Sequence, residues 1–355
     1  MTLQQLQERY GDFYSPRFRA EIGGQTFTEA HGVLSDVSVD TTMEGADRFS
    51  FTLNYPFDYS TGSFSGFEWD DFEVGTSVRL WLGYGKQLEP SPNVERPEAD
   101  PAFVGKISSV QPSFPSGGTP TIAVSGYDLL HEMTKGTNSG SWEKTKVSDV
   151  VTAVASKYFG NNVEVDSTDL KPNKIIQDTK SDYQFLAEEL GAKYGFETFV
   201  RRETFYFKTR EPNKRPSTPV VSLRYGESLS SFSPELNDAE QVKTVEARYW
   251  DAAKKKDVVT TVEQSEGTGK RVLRVKTQSV DEARTVAEAE MARISQSFVR
   301  GTAETFGIPD IRAGVSVRIE GVDEKFSGDY FVEQATHQIG SSGYTTAFQL
   351  TERPK

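Results

Sequence analysis

The sequence predicts an α+β chain that is mainly β, ordered β-rich, α/β, β-rich. Three observations predict it. Short runs of alternating polarity separated by turn residues fill Pro16 to Tyr127, a helical period takes over from Leu129 to about Phe207, and alternation returns from Val220. The 355 residues suggest two or three domains, because single cores rarely grow far beyond ~250 residues. Only 35% of the chain is hydrophobic, yet 23 Phe, 14 Tyr and 4 Trp are too many for a disordered chain. Such a chain is expected to fold and to use partners to cover part of its surface.

In the first β-rich stretch, Phe18 to Ile22, Gly23-Gly24 and Gln25-Thr26-Phe27 give a two-residue hairpin signal. Val33 to Val39 alternates loosely and Phe49-Ser50-Phe51-Thr52-Leu53 strictly. Val78 to Leu82, Ala102 to Val110 and Thr121 to Val124 complete about seven short strands, spaced as in a closed barrel or a sandwich. Two insertions interrupt them. Asn54 to Phe72 carries Tyr55, Phe57, Tyr59, Phe64, Phe67, Trp69 and Phe72. Lys86 to Pro101, rich in Pro and charge, reads as a solvated loop.

The middle stretch has two helix signals. Val147, Val150, Val151, Val154 and Tyr158 make an amphipathic stripe, with Thr145 placed to cap it and Gly160 to end it. Ser181-x-x-Gln184 is a capping box, in which hydroxyl and amide satisfy orphan backbone donors reciprocally. Tyr183, Leu186, Ala187, Leu190 and Tyr194 continue its apolar face, and Gly195 fits a left-handed stop. A hairpin, Phe196 to Val200 and Thr204 to Phe207, follows. In the last stretch, strands are expected at Ser222–Tyr225, Val242–Trp250, Asp257–Val262, Arg271–Thr277, Ser316–Ile319, Tyr330–Val332 and Tyr344–Leu350. One helix interrupts them, begun by a Ser279-x-x-Glu282 box, lined by Val286, Met291, Ile294 and Phe298, and ended by Gly301.

The charge balance, 40 basic against 52 acidic residues, gives −12. That argues against stable nucleic-acid binding through phosphates and against a polybasic membrane surface. With no Cys, disulfides, thiol nucleophiles and Cys-based metal sites are excluded. The amino terminus lacks the order of a signal peptide, and Val150 to Ala155, the most apolar run, is far short of a membrane span. The chain is expected to be made in the cytoplasm, without membrane insertion of its own.

Motifs for chemistry are sparse. His31, His131 and His337 lie in three segments without helical metal-pair spacing. Glu68, Asp70 and Asp71 could supply paired carboxylates to a secreted glycan-binding protein or hydrolase, but a solvated loop explains them better. Gly267-Thr268-Gly269-Lys270 lacks the spacing of a phosphate loop and reads as a turn, and Gly83-Tyr84-Gly85 lacks the third glycine of a dinucleotide fingerprint. Lys254-Lys255-Lys256 is the only basic run. The aromatic insertion is the most unusual feature. Tyr55, Phe57, Phe64, Phe67, Trp69 and Phe72 are either a satellite core or a surface buried against a neighbouring subunit.

An ordered set of motifs carries a resemblance. Phe103 to Val110 with Gly105, then Val124-Ser125-Gly126-Tyr127-Asp128-Leu129-Leu130, resembles the first barrel of the phage late control D family, the hub proteins of contractile tails related to the hub part of VgrG spikes. Ser181-Asp182-Tyr183-Gln184-Phe185-Leu186 through Gly195-Phe196 is similar to that family's middle helix. Tyr225 to Leu229, Phe232 to Pro234 and Val245 to Asp251 resemble parts of its second barrel. The closing pattern follows in Gly314, Gly321, Gly328, Tyr330, His337, Tyr344 and Thr346.

The resemblance implies two β-barrel (tube-type) domains flanking a small α/β domain at 129–215. The first barrel would span 15–128, with the aromatic insertion at 54–72. The second would span 216–355, with a helix inserted at about 280–299. It further implies a non-enzymatic structural hub with no cofactor, a homotrimer whose six barrels join a sixfold tail tube to a threefold spike. Expected partners are the tube or tube-initiator protein, a separate spike protein and baseplate wedge components, in a virion tail or an extracellular tail-like particle. The motif residues themselves read as structural.

Overall fold

A computed structural model describes all residues except 12, 89–99, 211–215, 237–241, 252–253, 266, 278, 296–298 and 353–355. Most of the expected loop at Lys86–Pro101, and Phe298, lie outside the described residues. The chain is mainly β, as its alternation predicts.

A helix that the strand-based reading passes over comes first: α1 (Leu3–Tyr10), begun by a Thr2–Gln5 capping box and anchored by fully buried Leu6. The first β-rich part then holds β1 (Pro16–Ile22), β2 (Gln25–Thr28), β3 (Leu34–Thr42), β4 (Arg48–Leu53), the short β5 (Phe57–Asp58) and β6 (Ser63–Phe64), β7 (Ser77–Tyr84), β8 (Phe103–Ser113) and β9 (Thr121–Asp128). The β1–β2 turn is the expected one. Gly23 and Gly24 sit at φ +57° and +90°, where a side chain would be strained. Strict alternation in β4 translates directly into Phe49, Phe51 and Leu53 facing the core at 0–1% exposure.

The middle part contains β10 (Asn138–Glu143), α2 (Val147–Phe159), β11 (Val163–Val165), β12 (Lys174–Lys180), β13 (Phe196–Arg201) and β14 (Thr204–Thr209). In α2 the four valines of the stripe are buried, but Phe159 takes the last inward position and Tyr158 stays partly exposed. Thr145 does not cap α2. Its hydroxyl bonds the Glu143 carbonyl, and Thr168, from a later loop, accepts from the Ser148 N–H. The Ser181–Gln184 box forms in both directions, at 3.1 and 3.3 Å. The helix it starts is wider than expected, a π-helix over Gln184–Gly191 that runs into α3 (Ala192–Tyr194). The Ala192 N–H reaches back five residues to the Ala187 carbonyl. Gly191 lets this wider turn lie against β13, since a Cβ there would stand 3.0 Å from the Phe196 carbonyl oxygen.

The last part supplies β15 (Pro219–Arg224), β16 (Ser231–Leu236), β17 (Thr244–Asp251), β18 (Lys256–Glu263), β19 (Lys270–Arg274), α4 (Val280–Ser295), β20 (Val299–Phe306), β21 (Ser316–Glu320), β22 (Gly328–Gly340) and β23 (Gly343–Glu352). The insertion here is more than the expected helix. Strands β17, β18 and β19 leave the large sheet and make a three-stranded sheet of their own. One face of that sheet is covered by Ala283, Ala287, Met291 and Ile294 of α4.

In the middle part β10 pairs with β12, and β11, β14 and β13 make a second small sheet, while β5 and β6 pair only with each other. The other strands of the first and last parts form one hydrogen-bonded ladder in the order β16-β20-β23-β22-β3-β4-β9-β8-β7-β1-β2, with β21 attached at β22 and β15 at β21. The long strand β22 is the seam. Its first residues pair with β21, its later residues Gln334 to Ile339 pair with β3, and a bulge at Val332/Gln334 separates the two stretches. The first and last β parts consequently share one apolar core, from Leu6 to Leu350.

Candidate interaction surfaces and the buried junction

The aromatic insertion folds as a cap on the first β part. Phe57 pairs with Phe64 across β5–β6, and successive ring contacts of 4.8–6.1 Å link Phe57, Phe64, Phe67, Trp69 and Phe72. Phe72 also meets Phe27 of β2 at 5.8 Å, and Phe114 at the β8–β9 tip lies 5.5 Å from Phe57. The six residues singled out from the sequence separate by burial. Phe64, Phe67 and Phe72 belong to the chain's own core, with Tyr55 and Phe57 packed on it. Of the two readings, the satellite core describes Phe64, Phe67 and Phe72, while Tyr55 and Phe57 stay partly buried. Trp69 alone keeps a large open face, at 53% exposure, beside the exposed Tyr59 and Phe114. Burial draws in the rings that can reach the large sheet, and the sequence does not say which those are.

The motif residues are placed as follows. Gly105 and Gly126 face each other's strands across β8–β9, where a Cβ would collide with the Tyr127 and Lys106 carbonyl oxygens. Gly195, at φ +79°, ends α3, and a Cβ there would stand 3.0 Å from the Ala289 methyl of α4. Gly314 and Gly321 hold left-handed turns on either side of β21, and Gly328 opens β22. Asp182 is buried and accepts from Asn138, Tyr158 and Gln177 at 2.7–3.1 Å, while Phe185 and Leu186 fill the middle core. The Tyr330 hydroxyl donates to the Phe326 carbonyl at 2.8 Å.

Two buried polar constructions occupy the junction of the parts. At the first, Asp47 and Asp128 are locked together. The Asp47 N–H donates to the Asp128 carboxylate and the Asp128 N–H to the Asp47 carbonyl, both at 3.0 Å. Each carboxylate also accepts a further backbone N–H, from Thr42 and Leu130 respectively. Burial pushes the Asp47 carboxyl up to about 7, only partly opposed by the Thr42 bond and the positive Arg201 and Arg312. Asp128 is raised by burial and by Asp47. At the second, His337 is fully enclosed. Its Nε2–H donates to the Ile311 carbonyl at 2.7 Å, and its Nδ1 faces the Tyr344 and Thr346 hydroxyls at 3.0 and 3.1 Å. Burial lowers its pKa to about 4, so the ring is neutral and fixed.

Candidates for chemistry do not converge. Glu68 and Asp70 are exposed on a short turn, and Asp71 is partly exposed beside them. His31 lies beside Thr28, His131 stacks on Tyr127, and His337 is held as described. Lys270, after the Gly267–Gly269 turn, pairs with Glu246 at 2.8 Å. Among the described residues no cluster of three His, Asp or Glu side chains could hold a metal ion, and no helix is long and apolar enough to cross a membrane.

The fold is shared with proteins of phage tails. The 43 kDa tail protein of prophage MuSo2 from Shewanella oneidensis superposes with a TM-score of 0.71 at 15% identity, covering 95% of this chain and 98% of that one. A tail protein from Neisseria meningitidis gives 0.69 at 14% identity, covering 96% and 97%. An Escherichia coli protein described as a component of the type VI secretion system, with structural similarity to T4 bacteriophage tail proteins, gives 0.57 at 10% identity over 91% of this chain and 76% of that one. The search of curated proteins returned no match. By sequence the match is not to the late control D family that the motifs resemble. The profile of the Alg8 N-terminal domain matches residues 21–341, and the chain belongs to that family.

Proposed function

We propose that this chain is a structural subunit of a phage-type tail or tail-like injection particle, acting as a homotrimeric baseplate hub without catalytic activity. The observation that carries the reading is the seam: two β parts lie edge to edge in one protomer, joined by the β3–β22 ladder. Three copies would offer six such parts in a ring, which can meet a sixfold tube on one side and a threefold spike on the other. The fold shared with the Shewanella and Neisseria tail proteins over almost the whole chain supports the setting. A continuous backbone ladder also suits a part that transmits force, because sliding β22 against β3 would break several hydrogen bonds together. The net charge of −12 per chain favours a wall to which a polyanion does not stick.

The test is the mass of the purified chain, alone and with its spike protein, followed by electron-microscopic averaging. A trimer with a six-lobed ring is expected. A chain that stays monomeric in both samples overturns the hub reading.

A further inference from the structure

We infer that copies of this chain join head to tail, the acidic aromatic cap of one seated on the lysine-bearing β17–β18 tip of the next. This rests on the homotrimer reading above and names its contact. Between Arg48 and Arg79 the sequence has no basic residue, yet it has Asp58, Glu68, Asp70, Asp71 and Glu73. The last four have no ion pair among the described residues. Beside them Trp69, Tyr59 and Phe114 stand 53–76% exposed. An apolar patch rimmed by one sign of charge is what a specific contact leaves uncovered on an isolated protomer.

The tip carries a net positive charge, with Lys254, Lys255 and Lys256 between Asp251 and Asp257, the latter opposite Trp250. In β17, Val245, Ala247 and Tyr249 turn toward α4, so Trp250 faces away, and Val259 of β18 and Val272 of β19 share that open face. Trp250 is 59% exposed, and Val259 and Val272 are 46% exposed each. Of the adjoining lysines, Lys254 pairs with Asp251 at 3.2 Å, whereas Lys255 and Lys256 have no ion pair among the described residues. Lys255 also sits at φ +51°, a left-handed conformation that Gly or Asn adopts more readily, so a lysine there is kept against local preference.

The signs decide the symmetry. Cap on cap or tip on tip would oppose like charges, so a two-fold contact through either surface is disfavoured. Cap on tip is heterologous, the kind of contact that closes into a ring.

The test uses the full-length chain and its oligomeric mass. Three variants are compared: Lys254→Glu with Lys255→Glu and Lys256→Glu; Glu68→Lys with Asp70→Lys and Asp71→Lys; and all six together. Each triple should weaken the trimer ~10-fold or more, the combined variant should recover it, and added salt should weaken the native trimer. A native-like circular dichroism spectrum and a cooperative unfolding transition establish that the variants are folded, since loss of the trimer by itself lowers the thermal midpoint. Both triples trimerising like the native chain, or dissociation that the combined variant does not rescue, overturns the inference while leaving the trimer standing. Variants that stay trimeric but lose the spike assign these surfaces to the spike and also overturn it. A native chain that is monomeric in every sample removes the hub reading itself.

Discussion

The aromatic cap and the β17–α4 insertion both interrupt the large sheet, but different forces hold them. The cap is pinned by apolar burial, with Phe64, Phe67 and Phe72 inside the core shared by both β parts. The insertion has a small core of its own and is tied to the middle part both by Val286, which enters that part's core, and by a polar knot. The Glu282 carboxylate accepts from Lys193 at 2.6 Å, the Tyr194 hydroxyl at 2.8 Å and Thr277 at 2.5 Å. This knot displaces half of the expected capping box. The Ser279 hydroxyl still accepts from the Glu282 N–H, but the Glu282 side chain turns away to the middle part. Burial is non-directional and tolerates a shift of a ring, whereas a charged knot needs each partner in place.

The largest effect should come from hollowing the cap's root. Phe72→Ala is expected to destabilise the chain by ~3–5 kcal/mol in denaturant unfolding, because Phe72 is fully buried against Phe27 and Phe67. Trp69→Ser, on the same segment, should change stability by less than ~1 kcal/mol. Similar losses for the two would mean that the cap is not divided into root and surface.

Next is the knot. Glu282→Ala removes the acceptor of the buried Tyr194 hydroxyl and the partner of the partly exposed Lys193, a loss of ~1–3 kcal/mol. Amide exchange should accelerate in α4 before it does in β22 or β3. Uniform acceleration across all of them would show that the insertion does not open separately.

The smallest effect is a slope. Asp47 is raised from 3.8 to about 7 in the fold, so its contribution is fully present below about pH 4 and is lost as pH rises through 7. His337 works in the opposite sense. Lowered from 6.5 to about 4, it contributes above pH 6.5 and loses that contribution as pH falls through 4. Between these limits the two oppose each other. Asp47→Asn should tilt stability toward rising with pH over that window, as read from urea midpoints at several pH values. A profile as flat as that of the native chain would remove Asp47 from the account.

What the sequence determined by itself is local. The strict period of Phe49, Phe51 and Leu53, the Gly23-Gly24 turn and the Ser181–Gln184 box each depend on residues within a few positions, so pattern and side-chain chemistry specify them without the rest of the molecule. The tertiary structure decided the contacts between distant residues. Thr168 replaces Thr145 at α2 from twenty positions away, Asp47 and Asp128 meet across 81 residues, and β22 finds β3 nearly 300 residues earlier. It also decided which aromatic rings of the cap are core and which are surface. A hydroxyl, a carboxylate or a phenyl ring has the same appetite for a partner or for burial wherever it stands in the chain. Which partner satisfies it depends on the closing of long loops, and no local pattern records that.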